Sequence, residues 1–176
     1  EPIIKNSKIH SNTASGMGGG IYIYMADMVL ENSILANNTS SSGGGIYIDR
    51  LKREDTGNSI SNTQIINNTA TKGGGAYFTE YVYPTLKNVT ISNNSKEGIY
   101  ASVDEVISVS YSNIVNNDFG VYNSTNASIL NLANNYWGDS SGPYHPSQNA
   151  SGKGDSVNIF TTVSSWLSAP NTDAPP

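Results

Sequence analysis

The sequence contains no cysteine, few charged residues and no long apolar run. Without cysteine, neither disulfide bonds nor thiolate metal sites can form. Only 13% of the residues are charged, and nine Lys and Arg face fourteen Asp and Glu, which gives a net charge of −5. A chain of this kind has no basic surface to neutralise phosphates, so we predict that it does not bind nucleic acid. No segment is apolar enough for about 18 residues to predict membrane insertion.

What the sequence does contain is a repeat that ends in asparagine. An apolar residue stands three positions before each of these asparagines, from Ile9 in the first copy to Leu132 in the sixth. The repeat asparagines are Asn12, Asn38, Asn68, Asn94, Asn117 and Asn135. Repeats of about 18 to 30 residues with short strands between turn residues are typical of solenoids, in which stacked coils share one core.

Strands are predicted where apolar residues alternate along each repeat. In Gly-Ile-Tyr-Ile (45–48), Ile46 and Ile48 fall on one face and Tyr47 on the other. Two further short apolar segments occur in each repeat, around Ile60 and around Ile65 in the third copy. Three strands in each coil, stacked on their counterparts in the next, predict three parallel sheets around a thin core.

Asparagine pairs are expected at the corners between strands, because Asn tolerates the left-handed backbone conformation and its amide can bond to the next coil. Five pairs end at Asn38, Asn68, Asn94, Asn117 and Asn135, and a second column comprises Asn6, Asn32, Asn62 and Asn88. We therefore predict an internal asparagine ladder. The alternative is glycosylation, because seven asparagines lie in N-x-S/T sequons, namely Asn37, Asn67, Asn88, Asn93, Asn123, Asn126 and Asn149.

The Gly-Gly-Gly-Ile-Tyr segments (18–22 and 43–47) and the Asn-Asn pairs resemble the right-handed parallel β-helix repeat family of secreted surface proteins of bacteria and archaea. The segment from Asn134 to Asp139, with Ser141-Gly142-Pro143, Gly154-Asp155 and Trp166-Leu167, resembles the block that closes such arrays, with Tyr136 in place of its first aromatic residue. The resemblance implies an all-β fold: a right-handed single-stranded parallel β-helix, a three-sheet solenoid of about six coils plus a C-terminal cap.

The predicted organisation is one domain followed by a tail. Residues 1–135 form the coils, residues 136–169 form a capping segment, and the proline-containing residues 170–176 begin a linker. Trp137, Phe160, Trp166 and Leu167 are expected to cover the open end of the last coil. Because the chain enters a repeat directly after Glu1-Pro2, we expect it to be part of a longer chain.

The candidate binding residues are five tyrosines at equivalent positions of successive coils, together with two arginines. The tyrosines are Tyr22, Tyr47, Tyr77, Tyr100 and Tyr122. At about 4.8 Å between strands they would form an outward ladder whose apolar rings and hydroxyl groups suit sugar rings, with the central tyrosines contributing most. Arg50 and Arg53, in a charged insertion after Tyr47, are candidate contacts for acidic sugars. The alternatives are an exposed sheet surface and a solvated loop.

Catalysis is the other function to weigh, because pectin-degrading enzymes share the β-helix. Arg50-Leu51-Lys52 and Asn171-Thr172-Asp173 match polygalacturonase motifs only in reversed order, and the Asp-Asp and Gly-His-Gly motifs are missing. We therefore predict a non-catalytic extracellular or cell-surface module, a stalk, adhesin or polysaccharide-binding domain, with no cofactor or metal and with a polysaccharide or cell-surface glycan as partner. The alternative is the C-terminal part of a lyase, epimerase or hydrolase acting on uronate-containing glycans, with catalytic residues upstream.

Overall fold

The computed structural model describes residues 2–49, 57–79, 81–102, 106–125 and 129–176, and its regular structure consists of short β-strands. The strands are β1 Ile3–Lys5, β2 Lys8–His10, β3 Ile21–Tyr24, β4 Val29–Glu31, β5 Ile34–Ala36, β6 Ile46–Asp49, β7 Ser59–Ser61, β8 Gln64–Ile66, β9 Ala76–Phe78, β10 Thr85–Lys87, β11 Thr90–Ser92, β12 Glu97–Ala101, β13 Val106–Ser110, β14 Asn113–Val115, β15 Phe119–Asn123 and β16 Ile129–Asn131. Among these residues no helix is long and apolar enough to cross a membrane.

The strands form three parallel sheets, as the repeat predicts. Sheet A has the order β1-β4-β7-β10-β13-β16, sheet B comprises β2-β5-β8-β11-β14, and sheet C comprises β3-β6-β9-β12-β15. Each strand except the last of its sheet pairs with the strand one coil further along, so the chain winds through sheets A, B and C in turn. The three-sheet solenoid is thereby confirmed.

The core is a column of aliphatic side chains contributed by all three sheets. Leu30, Ile65 and Ile46 represent the inward position of sheets A, B and C, and each is fully buried. Phe78, also fully buried, is the large side chain that fills the centre of the third coil. Alternation along each strand therefore places the apolar residues inside, as predicted.

The two asparagines of each pair have different roles at the corner. The first member of each pair, such as Asn37 or Asn67, has a φ of about 55° and makes the turn. The second member is buried and bonds to the next coil: the Asn38 side-chain amide donates to Asn68 Oδ1 at 3.0 Å, and that of Asn68 donates to Asn94 Oδ1 at 3.1 Å. The column Asn12-Asn38-Asn68-Asn94-Asn117 is the predicted ladder.

The sixth repeat does not follow the predicted alignment. Strand β16 pairs Asn131 with Ser108, which places Leu132 beside Val109 rather than beside Ile114. Asn135 accordingly accepts a hydrogen bond from the Ser112 amide at 3.0 Å and does not extend the asparagine ladder. Within the described residues, five coils are complete and β16 opens a sixth, slightly fewer than predicted.

The ladder ends instead on a carboxylate from the capping segment. Both the main-chain amide and the side-chain amide of Asn117 donate to Asp155 Oδ2, at 2.9 and 2.8 Å. Val157 then pairs with Val121 and continues sheet C. The chain therefore leaves the coil after Gly138 and rejoins it at Asp155, which no repeat spacing indicates.

The segment after the last coil covers its open end mainly with two side chains. Trp137 is fully buried against Gly120, and Trp166 packs against the core next to Asn135. Phe160, predicted to take part, keeps 47% of its surface exposed; its main-chain carbonyl instead accepts a hydrogen bond from Asn123. That part of the expectation was wrong, because the backbone of residue 160 and not its ring meets the last coil.

Residues 170–176, predicted to begin a linker, lie against the outside of sheet B. Asn171 contacts β14, and Pro175 and Pro176 lie beside β11 and β8. The segment therefore runs back along the solenoid, across the coils that precede it.

Candidate ligand-binding face

The register of sheet C places the five tyrosines in one column. Tyr22, Tyr47 and Tyr77 are paired across β3, β6 and β9, and Tyr100 and Tyr122 continue the column on β12 and β15. The tyrosines align because each stands two positions after the last glycine that precedes it in the sequence. We call these five residues the tyrosine column.

The rings of the column stack on one another. The ring centroids of Tyr47 and Tyr77 are 4.8 Å apart, those of Tyr77 and Tyr100 are 4.7 Å apart, and each pair is inclined by only 15°. Tyr100 and Tyr122 are stacked at 5.4 Å. Tyr22 departs from this arrangement, because its ring meets Tyr47 edge to face at 62° and 5.6 Å.

Stacking removes most of the flat surface that the sequence predicts. Tyr47 and Tyr100 are only 8% and 9% exposed, because the neighbouring rings cover their ring faces. Tyr22 is 47% exposed, and the equally exposed Tyr24 lies 6.3 Å from it. The most exposed aromatic surface of this face therefore lies at Tyr22 and Tyr24 in the first coil, while Phe119, which is 36% exposed and meets Tyr122 edge to face, lies at the other end of the column.

Burial makes two central phenol groups of the column, those of Tyr47 and Tyr77, harder to ionise. Burial, together with the nearby Asp49 carboxylate and the neighbouring phenols, raises the pKa of Tyr47 to about 12. Burial likewise raises the pKa of Tyr77, against smaller opposing effects of Lys72 and of a hydrogen bond with Ser102. The hydroxyl groups of Tyr47 and Tyr77 are therefore even further from ionising at physiological pH than a free phenol, and each can both donate and accept a hydrogen bond.

Two charged side chains flank the column. Asp49, at the position after Ile48, pairs with Tyr24 in the register and accepts a hydrogen bond from the Thr79 hydroxyl at 2.5 Å. Lys72 places its ammonium 5.3 Å from the centroid of the Tyr100 ring, a distance at which cation and ring attract. Sequence analysis singled out neither as a contact, although Lys72 stands directly before the Gly-Gly-Gly run that leads to Tyr77.

The two candidate arginines cannot be placed. Arg50 and Arg53 belong to residues 50–56, which lie outside the described residues. They follow directly on Asp49 at the end of β6. Their contact with a ligand thus stays a prediction from the sequence.

Comparison with models of protein families shows to which family the chain belongs. A family model described as a right-handed beta helix region matches residues 2–157. The chain belongs to the right-handed beta helix family. The match covers all five complete coils and reaches Val157, where the chain rejoins sheet C. No curated protein and no solved structure matches this member significantly.

The face offers binding chemistry of a simple kind. Exposed ring faces at Tyr22 and Tyr24 provide apolar area, and the phenol groups of the column provide neutral hydrogen-bonding groups. In the described part of the chain no group of three His, Asp or Glu side chains is placed to hold a metal ion. The arrangement suits a ligand with apolar faces and many hydroxyl groups.

Proposed function

We propose that this β-helix domain is a non-catalytic extracellular or cell-surface module that binds polysaccharide through sheet C. The observation that supports the proposal is the tyrosine column, in register over five coils, with an exposed aromatic pair at one end. Sugar rings have apolar faces that pack on aromatic rings and hydroxyl groups that bond to phenols.

The unequal exposure of the column determines how the glycan would bind. A sugar ring would stack on Tyr22 or Tyr24, where ring faces are open, and the following sugars would meet the ring edges and hydroxyl groups of Tyr47 and Tyr77. The chain of sugars would run along the solenoid axis, so that affinity rises with oligosaccharide length until the column is covered. This differs from the expectation that the central tyrosines contribute most.

The test is a glycan array followed by titration of the strongest neutral and acidic glycans. Tyr22→Ala should weaken binding by about fivefold or more, because it removes an exposed stacking surface that contributes roughly 1 kcal/mol or more. Tyr144→Ala is the matched control, because Tyr144 is similarly exposed but lies in the capping segment. Equal affinity of the Tyr22 variant and the wild type would refute the platform and favour a stalk.

Salt separates the contribution of the basic residues from that of the rings. If Lys72, Arg50 or Arg53 contacts uronates, raising the ionic strength should weaken binding to acidic glycans and leave neutral ones almost unchanged. The carboxylate of Asp49, beside Tyr24, opposes an acidic sugar at that end of the column. An acidic glycan should therefore place its charges towards Lys72.

A further inference from the structure

The outward face of sheet B carries a column of side chains, three of which form hydrogen bonds to the C-terminal residues. The register aligns Lys8, Ile34, Gln64, Thr90 and Asn113 in successive coils. Lys8 is exposed, as an outward residue of a solenoid should be. Thr90 and Asn113 are only 7% and 9% exposed, because residues 170–176 cover them.

The contacts are directed at the main chain of the covering segment. Asn113 Oδ1 accepts from the main-chain amide of Asn171 at 2.8 Å, and Asn113 Nδ2 donates to the carbonyl of the same residue at 3.0 Å. The Thr90 hydroxyl donates to the carbonyl of Pro175, and the Gln64 amide donates to the main-chain oxygen of Pro176. Three coils therefore hold one short segment by its backbone.

Proline suits this mode of binding. Its missing N–H costs nothing at a site that supplies donors to carbonyl groups, and its fixed φ lowers the entropy lost on binding. Two side chains of the segment also meet the coils or are buried. The Asn171 amide donates to the Tyr111 carbonyl at 2.5 Å and to Asn88 Oδ1 at 3.3 Å, and Ala174 is buried.

Two open spaces lie between the segment and the coils that it crosses. A cavity of about 600 Å³ is bounded by Asn32, Ile34, Asn62 and Gln64 on the coil side and by residues 172–176 on the other. A second space of about 230 Å³ lies between Thr90, Val115, Tyr136 and the prolines at 170 and 176.

We propose that the outward face of sheet B, from β8 to β14, is a peptide-binding groove that is occupied by this chain's own residues 171–176. In this groove, Gln64, Thr90 and Asn113 donate hydrogen bonds to main-chain oxygens of the peptide. The groove selects an asparagine with Ala-Pro-Pro at the third to fifth positions after it. Its bound segment ties the third, fourth and fifth coils together. This site is separate from the tyrosine column, which lies on sheet C.

Binding in trans provides the first test. The chain shortened to end at Ala169 should bind a fluorescent peptide of residues 170–176, whereas the full chain should bind it at least about tenfold more weakly because its groove is filled. In the shortened chain, Asn113→Ala should weaken binding of the peptide by about tenfold or more, since two hydrogen bonds are lost. A folded shortened chain that does not bind the peptide at millimolar concentration would overturn the proposal.

A disulfide in the full-length chain tests the same contact without shortening it. The chain has no cysteine, so the pair Thr90→Cys with Pro175→Cys is free of competing thiols. It should form a disulfide under mild oxidation, because the two residues are in direct contact. The control pair, Phe119→Cys with Pro175→Cys, joins the segment to sheet C and should stay reduced. Equal oxidation of both pairs would show that the segment does not occupy the groove.

Discussion

Asp155 is the residue at which the asparagine ladder meets the cap, and it is an unusual terminus. In the coils before it, each acceptor of the ladder is a neutral amide, whereas Asn117 donates twice to a carboxylate. Burial raises the pKa of Asp155 to about 6, although the hydrogen bonds from Asn117 oppose this; the nearby Asp118 adds to the rise. The charged form of the side chain is therefore disfavoured in the folded protein.

This raised pKa predicts a loss of stability as the pH rises from about 4 to 6. Below the ordinary pKa of 3.8 the carboxyl is protonated in both states; between 3.8 and about 6 only the unfolded chain ionises, which favours unfolding. Above pH 6 both states are ionised, and the free energy of unfolding should be lower by about 3 kcal/mol than at low pH. Asp155→Asn keeps an acceptor for Asn117 and should abolish this slope.

Urea denaturation at a series of pH values measures the effect. Asp139→Asn is the control, because a hydrogen bond from Ser141 lowers the pKa of Asp139 and its contribution has the opposite sign. The interpretation is wrong if Asp155→Asn retains the wild-type slope between pH 4 and 6. It is also wrong if this variant is less stable than the wild type at pH 7.

Sequence reasoning succeeded at the corners and failed at the ladder's end for one physical reason. Asn38 and Asn68 each stand three positions after an apolar residue and five before a Gly-Gly-Gly run, so their equivalence can be read from the sequence. Asn134 and Asn135 look like another such pair, yet they occupy the positions of Tyr111 and Ser112, since Asn134 and Tyr111 both have positive φ. The true successor of Asn117 lies 38 residues later, beyond an insertion. Spacing alone cannot reveal it.

At the scale of elements, the glycine-rich segment before each of the first three strands of sheet C lets the backbones of adjacent coils lie close together. Gly19, Gly44 and Gly74 stack in one column, and a Cβ built on Gly44 would lie 2.5 Å from the carbonyl oxygen of Gly74. For Gly74 the corresponding distance, to the Ser95 carbonyl, is 2.0 Å. Glycine is needed here because the backbones of adjacent coils meet, which lets the tyrosine rings after them approach to stacking distance.

Gly44→Ala should therefore destabilise the fold by about 2 kcal/mol or more, because a backbone must move to admit the methyl group. Gly16→Ala is the matched control: nothing lies within 4 Å of its built Cβ, and its φ is not positive. Thermal unfolding monitored by far-UV circular dichroism compares the two variants. A melting temperature of the Gly44 variant equal to that of the Gly16 variant would mean that the coils separate easily at this corner.

The candidate binding sites were foreseen to different degrees, for reasons that also lie at this scale. The tyrosine column follows from alternation and spacing, but the burial of Tyr47 and Tyr100 depends on ring orientation, which the sequence does not specify. The groove on sheet B could not be predicted, because Gln64, Thr90 and Asn113 bind main-chain oxygens. Every residue has such an oxygen, so the sequence does not indicate which ones are bound. Residues 170–176 therefore looked like a linker.

At the scale of the whole molecule, a solenoid has one core that is open at its ends. The last coil would expose Ile114, Val121 and the strand edges of β14 and β15 if the capping segment were absent. Trp137 covers that cross-section, and Val157 pairs with Val121. An uncovered parallel edge is a template for another chain, so the cap should control association.

Deleting residues 136–176 should consequently cause self-association along the coil axis, since the exposed end of one molecule can pair with strand edges of another. Two controls separate the cap from other effects: the chain shortened to Ala169 lacks only the tail, and Phe160→Ser changes an exposed aromatic side chain of the cap. Sedimentation velocity should show oligomers that grow with concentration only for the deletion. If the deleted chain stays monomeric and melts at the wild-type temperature, Trp137 and Val157 do not protect the open end, and the last coil must be stable with its edge exposed.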